Sequence, residues 1–590
     1  MGLKKNVKKK RVKYASSSQD TVNKCKLKTT CLDKILLLCT VEKEADNGEE
    51  KISKLLLCTV EKEADNGEEK ISKSWNRHSR YEQVPLLTND FGPNMSNNEF
   101  SFDMFFPLGK FIEPWNFGPP THVCEHCGAQ LWYEERTLKS KKPRNPKFRL
   151  CCSDGIVHLP LLKDPPPFLA RLLGLNDGSR SSKFRVGIRV YNSLFAFTSL
   201  GGKVDYSVNR GSAPYVFRLN GQNYHKIGSL LPVDGESPKF AQLYIYDTEN
   251  EIGNRIGAVT SEDGKNVVDP DIVAGLLGML DDCNQLVKIF RMARDRFTES
   301  EVRNVKIRLI GTRNPNERQY NIPNSSEVAA VIVGDFSVES SNRDIIVEHT
   351  RSGLQRISEL HPSFMSLQYP LLFPYGEDGF RTGILYRTTG GREYKNRKSV
   401  TMREYYAYRL QQRPNEGHTL ILGGRLFQQF IVDAYSCIEE SRLRWVRDNQ
   451  EDLRRELYSG LMDAVLRGDS DPITVGKRVI LPSSFTGGPR YMAQNYQDAM
   501  AICRWAGYPD LFITFTCNPK WPEIDLFLGS VPGQIAADRP DIVALVFKIK
   551  LDALLHDLTR GEHFGKVIAG SWFYILSMYL FIIIIFLFPF

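Results

Sequence analysis

With 590 residues the chain is long enough for roughly three or four domains and several hydrophobic cores. Its 42% hydrophobic and 25% charged content is that of a globular protein, which excludes a wholly disordered or fibrous one. The net charge of +9 is compatible with a polyanionic partner and does not require one.

In chain order, Met1 is followed by lysines and no apolar h-region, so no secretory signal is expected and the compartment is a reducing one. Lys4, Lys5, Lys8, Lys9, Lys10, Arg11 and Lys13 form a dense basic cluster. It reads either as a nuclear localisation signal or DNA-contacting arm, or as a solvated tail. Leu36 to Lys54 is then repeated letter for letter by Leu55 to Lys73. Structural repeats drift in sequence and need about three copies to build a core, so two perfect, largely acidic copies point to a recent duplication. Residues 1–75 are expected to be mostly disordered.

The twelve cysteines are scattered except at one place, where Cys124-Glu-His-Cys127 is followed after 23 residues by Cys151-Cys152. A C-x2-C knuckle brings two thiolates to one metal from a tight turn, and a second pair completes a tetrahedron. Gly128 suits such a turn, and Lys147 to Leu150 reads as the strand that delivers the second pair. Structural zinc is the expected metal, with Cys124, Cys127, Cys151 and Cys152 as ligands. His126 or His158 is an alternative fourth ligand, and unligated buried thiols are the plainer reading.

Phe184 to Val190, Leu194 to Ser199, Tyr215 to Leu219 and Phe240 to Tyr246 read as strands, and Ile272 to Phe297 as one amphipathic helix. Val305 to Ile310, Val328 to Val333 and Ile345 to Val347 return to strand character. Beyond His361 the chain reads as helical, over Glu404 to Arg413, Arg425 to Val446 and Gln450 to Leu466. Arg442, Arg444, Arg447, Arg454 and Arg455 on these helices are a phosphate-tracking face or, more simply, a solvated one.

Two long stretches carry a resemblance. His361-Pro-Ser-Phe-Met-Ser-Leu-Gln-Tyr-Pro-Leu-Leu-Phe-Pro-Tyr-Gly-Glu-Asp-Gly379 and the segment Leu481 to Ile524 (LPSSFTGGPRYMAQNYQDAMAICRWAGYPDLFITFTCNPKWPEI) resemble plant Helitron transposon proteins. The likeness runs back through Cys124 and stops near Ala569. That family resembles rolling-circle initiators joined to a C-terminal helicase. On the residues alone, Gln494 to Trp505 reads as a helix with Met500 and Ile502 inward, ended by Gly507. Leu511 to Thr516 reads as a buried strand closed by Asn518-Pro519. The resemblance makes this strand the neighbour of one bearing metal-binding histidines, so Thr514, Thr516 and Asn518 either line that site or are core and turn residues. Arg490, Tyr491 and Tyr496 are candidate contacts to DNA through phosphate and base stacking.

The family's chemistry requires a His-hydrophobic-His pair holding a divalent cation and a downstream nucleophilic tyrosine. None of the ten histidines here lies two residues from another. Tyr394-x3-Lys398 has the nucleophile's spacing but precedes the strand motif, against the family's order. No Gly-Lys pair is followed by serine or threonine, so no ATP-binding loop is found. Trp572 to Phe588 is almost uninterrupted Phe, Ile, Leu and Tyr, long enough for a membrane helix. Its residues also have T-rich codons, so the run is read as translated intron ahead of an anchor.

The expectation is an α+β, multidomain chain. It comprises a disordered N-terminus (1–75), a zinc-binding module (76–165), a mixed α/β middle domain (166–350), a mainly helical region (351–470), an incomplete nuclease-type domain (471–569) and a hydrophobic tail (570–590). The functional expectation is a nuclear Helitron helicase-like fragment that binds DNA weakly, as single strands, and has no catalytic residues of its own. A longer product with nickase activity and a tail-anchored membrane protein are the alternatives.

Overall fold

The computed structural model describes residues 53–57, 115–137, 139, 143–174, 178–205, 217–220, 224–259, 268–299, 305–311, 329–333, 344–348, 354–387, 397–450, 480–485, 488–509, 511–530, 533–560, 567, 569–575 and 581–587. The expected basic N-terminal cluster, most of the duplicated segment, Tyr394, Arg454, Arg455 and nearly all of the helix expected over 450–466 lie outside them.

The first half of the chain alternates short strands and helices. These are β1 (Ser53–Leu57), β2 (His122–Val123), β3 (Gln130–Leu131), α1 (Pro167–Leu173), α2 (Gly178–Phe195), β4 (Ser199–Leu200), β5 (Lys203–Asp205), β6 (Phe217–Asn220), β7 (His225–Ile227), α3 (Glu251–Gly257), α4 (Pro270–Cys283) and α5 (Gln285–Glu299). There follow β8 (Val305–Leu309), β9 (Ala329–Val333), β10 (Ile345–Val347), β11 (Gln355–Ile357), α6 (Phe364–Gln368), α7 (Met402–Arg409) and α8 (Gly424–Asp448). The C-terminal part is α9 (Pro489–Ala506), β12 (Leu511–Phe515), α10 (Pro522–Leu528), α11 (Pro540–Arg560), β13 (Ala569–Ile575) and β14 (Phe581–Leu587). Among the described residues the strands form small sheets ordered β1-β6-β5, β10-β8-β9, β11-β7-β4, β12-β14-β13 and β2-β3. All their pairs are antiparallel, so the chain mixes helix with antiparallel sheet and lacks a parallel βαβ layer in those residues.

Several expected strands are helical. Phe184 to Val190, together with Leu194 and Phe195, belongs to α2, and only Ser199 of the second expected strand enters β4. The buried residues Ser181, Phe184, Ile188, Tyr191 and Phe195 recur every three or four positions, while Lys183, Arg185 and Arg189 fall between them. That is the helical period, obscured in the sequence by β-branched and aromatic residue types. Phe240 to Tyr246 likewise forms a 3-10 turn over Phe240–Tyr244, entered through a positive φ of 54° at Phe240. Gln242 ties it down, donating to the carbonyls of Ser229 and Leu231.

The helix expected from Ile272 to Phe297 is two helices. Asn284 has extended ψ, and its Oδ1 accepts from the amides of Leu286 and Val287, capping α5. The strands over 305–309, 329–333 and 345–347 form as expected. Ser53–Leu57, in the segment expected to be disordered, pairs with β6; it straddles the junction of the two copies, where three leucines replace the acidic run.

One apolar cluster runs through the described residues from Cys124 to Ile438 and also takes in Ala544. The first resembling stretch lies in its middle, with Phe364, Met365, Leu367, Tyr369, Leu371, Leu372 and Phe373 all buried. That stretch therefore builds the core. A second cluster joins Trp132 to α10 and α11 through Ile524, Phe527, Ile542, Leu545 and Ile549.

The described residues of the apolar tail form strands, not a helix. Phe581–Leu587 pairs antiparallel with both β12 and β13, aligning Phe512 with Ile585 and Thr514 with Ile583. Runs of isoleucine and aromatic residues favour a pleated strand when an edge is available for pairing, and β12 supplies one. Among the described residues no helix is long and apolar enough to cross a membrane.

Candidate metal centre and nucleic-acid face

The β2–β3 hairpin presents the first cysteine pair. Gly128 takes φ 72°, its amide donates to the Cys124 carbonyl at 2.9 Å, and the Cys124 amide donates to the Ala129 carbonyl at 2.9 Å. A side chain other than glycine's is strained in this left-handed conformation. The second pair sits on a turn in which Ser153, Asp154 and Gly155 all have positive φ. The Gly155 amide donates to Cys152 Sγ at 3.2 Å, and a Cβ at Gly155 would come 2.9 Å from His126 Cγ. Lys147 to Leu150 forms no regular strand, although the Lys147 carbonyl accepts from the Thr137 amide at 2.8 Å.

The four sulfurs converge. All lie within 4.8 Å of one another, with Cys124 to Cys152 at 3.7 Å and Cys151 to Cys152 at 3.8 Å. A tetrahedron of thiolates, each about 2.3 Å from a central zinc, has edges of about 3.8 Å. The donor set and these separations therefore fit a four-coordinate ion such as zinc, with no vertex left for water.

Cys124, Cys151 and Cys152 are buried, and Cys127 is partly so. Hydrogen bonds from Cys127, Cys151 and Cys152 push the Cys124 thiol far down, whereas Cys151 and Cys152 are pushed up, first by their bonds to Cys124. At Cys127 the bond to Cys124 raises the value, but Cys151, Cys152 and the charge of Arg413 bring it to about 7. Without a cation such a cluster resists full ionisation, because like charges at this spacing repel. The alternative ligands fall away. His126 faces Asp154 at 3.6 Å, and His158 is exposed; neither joins the sulfur cluster.

Spacing did not foretell what lies behind the sulfurs. Arg413, whose side chain is 2% exposed, donates from Nε to the Cys127 carbonyl at 3.0 Å and from Nη1 to Glu416 at 2.8 Å. Its Nη2 lies 3.9 Å from Cys127 Sγ, and the guanidinium stacks 3.7 Å from the Tyr408 ring centre. The Gln130 amide donates to the Gln412 carbonyl, and Trp132 stacks on Phe527 at 5.2 Å. The cysteine hairpin is thereby bolted to α10, α11 and the turn that follows α7.

A second unforeseen pair lies in the NPKWPEI stretch. Glu523, fully buried, holds Lys550 Nζ at 2.7 Å. Trp115, Phe117 and Trp521 ring that ammonium at 5.3–5.5 Å. Only the carboxylate itself, among these partners, fixes the register of α10 on α11 by charge.

The candidate nucleic-acid residues are spread over one helix and one strand end. Arg490 and Tyr491 sit half-buried in the first turn of α9, and Tyr496 is 65% exposed. No residue of α9 is buried, and Met500, expected inward, is 44% exposed because this helix packs mainly on β13. Ile502 is half-buried. Thr514 lies within β12; Thr516 and Asn518 follow it and are exposed, with Asn518 Oδ1 accepting from the Lys520 amide. The expected burial of this strand is partial at Ile513 and Phe515. Its partner strand, β14, carries no histidine. On α8 two of the arginines read as a basic face are engaged: Arg444 with Glu359 at 2.6 Å, and Arg447 with Glu440 at 2.9 Å.

No curated protein matches the chain. Residues 405–575 match the family described as the Helitron helicase-like domain at N-terminus, a span that begins in α7 and ends with β13. The chain therefore carries a Helitron helicase-like N-terminal region, and the Arg413 and Trp132 contacts lock its cysteine cluster onto that region.

Proposed function

We propose that this is a transposon-derived, nuclear, DNA-associated protein of the Helitron helicase-like kind, whose four cysteines hold a structural zinc and whose 590 residues contain no complete nickase or helicase site. The match over residues 405–575 carries the reading. The zinc joins Cys124, Cys127, Cys151 and Cys152 and stabilises the hairpin that carries Trp132 into α10 and α11. Metal binding and folding of that hairpin then share one free energy.

The DNA-associated surface is assigned to α9 and the end of β12. Arg490 would meet a phosphate and Tyr491 and Tyr496 offer stacking faces, with Thr514, Thr516 and Asn518 completing the candidate set. Single strands fit exposed aromatic side chains better than a closed duplex does. Catalysis is not assigned, because the sequence holds no His-x-His pair and no Gly-Lys-Ser/Thr loop.

The test uses the full chain with fluorescent single-stranded and duplex DNA over a salt series, alongside Arg490→Ala, and a nicking assay with magnesium or manganese. The reading predicts salt-sensitive, sequence-indifferent binding that favours single strands and weakens in Arg490→Ala, without cleavage. Failure of the folded chain to bind at low salt would remove DNA from its function. Metal-dependent cleavage that disappears with a mutation in this chain would overturn the absence of a catalytic site.

A further inference from the structure

Besides the N-terminal basic cluster, positive charge is concentrated in one loop. Between the two cysteine pairs, residues 136–149 hold seven lysines and arginines and no acid, a charge of +7 against +9 for the whole sequence. Arg144, Lys147 and Arg149 are exposed, and among the described residues none has an ion-pair partner. They contrast with Arg444 and Arg447 of α8, which are held by carboxylates.

The described residues around these three cations are tied down at several points. Lys147 and Arg149 flank Phe148, which is 7% exposed and belongs to the main core, so the two cations leave the same short segment whose centre is anchored. Thr137 closes the loop by donating its amide and hydroxyl to the Lys147 carbonyl. Arg149 lies two residues before the second cysteine pair, and its carbonyl accepts from the Ser153 amide. At the far side Lys139 pairs with Asp552 of α11, inside the Helitron helicase-like region.

We infer that this inter-cysteine loop is a docking surface for the phosphate backbone of nucleic acid, with Arg144, Lys147 and Arg149 as its contacts. This rests on the DNA-associated reading above and adds a second contact surface, separate from α9. Unpaired cations on a tied-down segment lose little entropy on meeting a polyanion and release its condensed counterions. They read no bases, so the contact is indifferent to sequence. The cysteine cluster's place is to hold both ends of the loop.

The experiment measures binding of the full chain to fluorescent single-stranded DNA across a salt series. The variants are the triple Arg144→Gln/Lys147→Gln/Arg149→Gln and the charge-keeping triple Arg144→Lys/Lys147→Arg/Arg149→Lys. Each lost phosphate contact reduces the log K against log salt slope by about 0.7, so the glutamine triple should lower it by about 2 and weaken binding on the order of 100-fold at 0.1 M salt. The charge-keeping triple should retain both, and metal content and thermal unfolding should match the wild type in each. Wild-type binding with an unchanged slope in the glutamine triple would overturn this loop while leaving DNA association in place. No binding by the wild type would overturn both. A preference for phosphatidylserine vesicles over DNA would overturn the nucleic-acid assignment in favour of a membrane surface.

Discussion

Arg413→Ala tests the junction between the cysteine cluster and the Helitron helicase-like region. The substitution deletes the Nη1 bond to Glu416 at 2.8 Å, the Nε bond to the Cys127 carbonyl at 3.0 Å, the Nη2 bond to the Tyr408 carbonyl at 3.0 Å and the stacking on Tyr408. It also strands a carboxylate, since the Glu416 side chain is only 5% exposed. Breaking a buried ion pair from one side costs about 3–5 kcal/mol. Glu416 keeps Arg409 at 3.3 Å and the Leu162 amide at 3.2 Å, which places the expected loss near the lower end, about 3 kcal/mol. Urea unfolding followed by intrinsic fluorescence would show it as a lower midpoint at constant slope. Replacing both partners, Arg413→Met with Glu416→Gln, should restore part of the loss, because the buried carboxylate goes with the guanidinium while an amide oxygen still accepts from Arg409 and the Leu162 amide. A loss in Arg413→Ala under about 0.5 kcal/mol, the range of ordinary surface changes, would refute the argument that this arginine is a structural bolt.

Trp132→Ala should cost about 4 kcal/mol through the cavity it leaves beside Phe527 and Ile542, and should speed hydrogen exchange in α10 and α11 without changing metal content. Lys550→Ala should destabilise more than Lys550→Arg, since Glu523 is buried and keeps only the Phe117 amide on its Oε1 once the ammonium is gone; equal midpoints in chemical denaturation would deny that ion pair its role. Burial raises Glu377 to about 7, so the folded state holds its proton more tightly than the unfolded chain does. Its contribution to stability is therefore fully present below the ordinary carboxylate value and is lost as pH rises through about 7. Glu377→Gln should flatten that decline between pH 5 and 8, by about 3 kcal/mol at most, and identical pH profiles would exclude it.

The cysteine cluster was legible because a knuckle is local: four cysteines and a glycine announce both the convergence of sulfurs and the turn. Arg413 was not legible, since 286 residues separate it from Cys127 and only folding brings them together. Helix α2 was misread because Phe184, Ile188 and Tyr191 have strand-forming side chains, although their spacing is helical. The break at Asn284 hides inside a continuous apolar pattern, where one side-chain cap decides it. Met500 sits on an amphipathic helix whose apolar side meets little else, a matter of tertiary partners that periodicity does not report. The apolar tail has the length of a membrane helix, yet its isoleucines pair with β12, since a strand choice depends on an available edge.

The most direct test of the account is X-ray absorption and metal analysis on the purified full chain, wild type and Cys151→Ser. The account predicts one zinc per chain, with four sulfur neighbours at about 2.3 Å, and loss of that stoichiometric, all-sulfur site in the variant. A metal-free wild type that is folded, or a zinc shell containing histidine nitrogen or unchanged by Cys151→Ser, would contradict it.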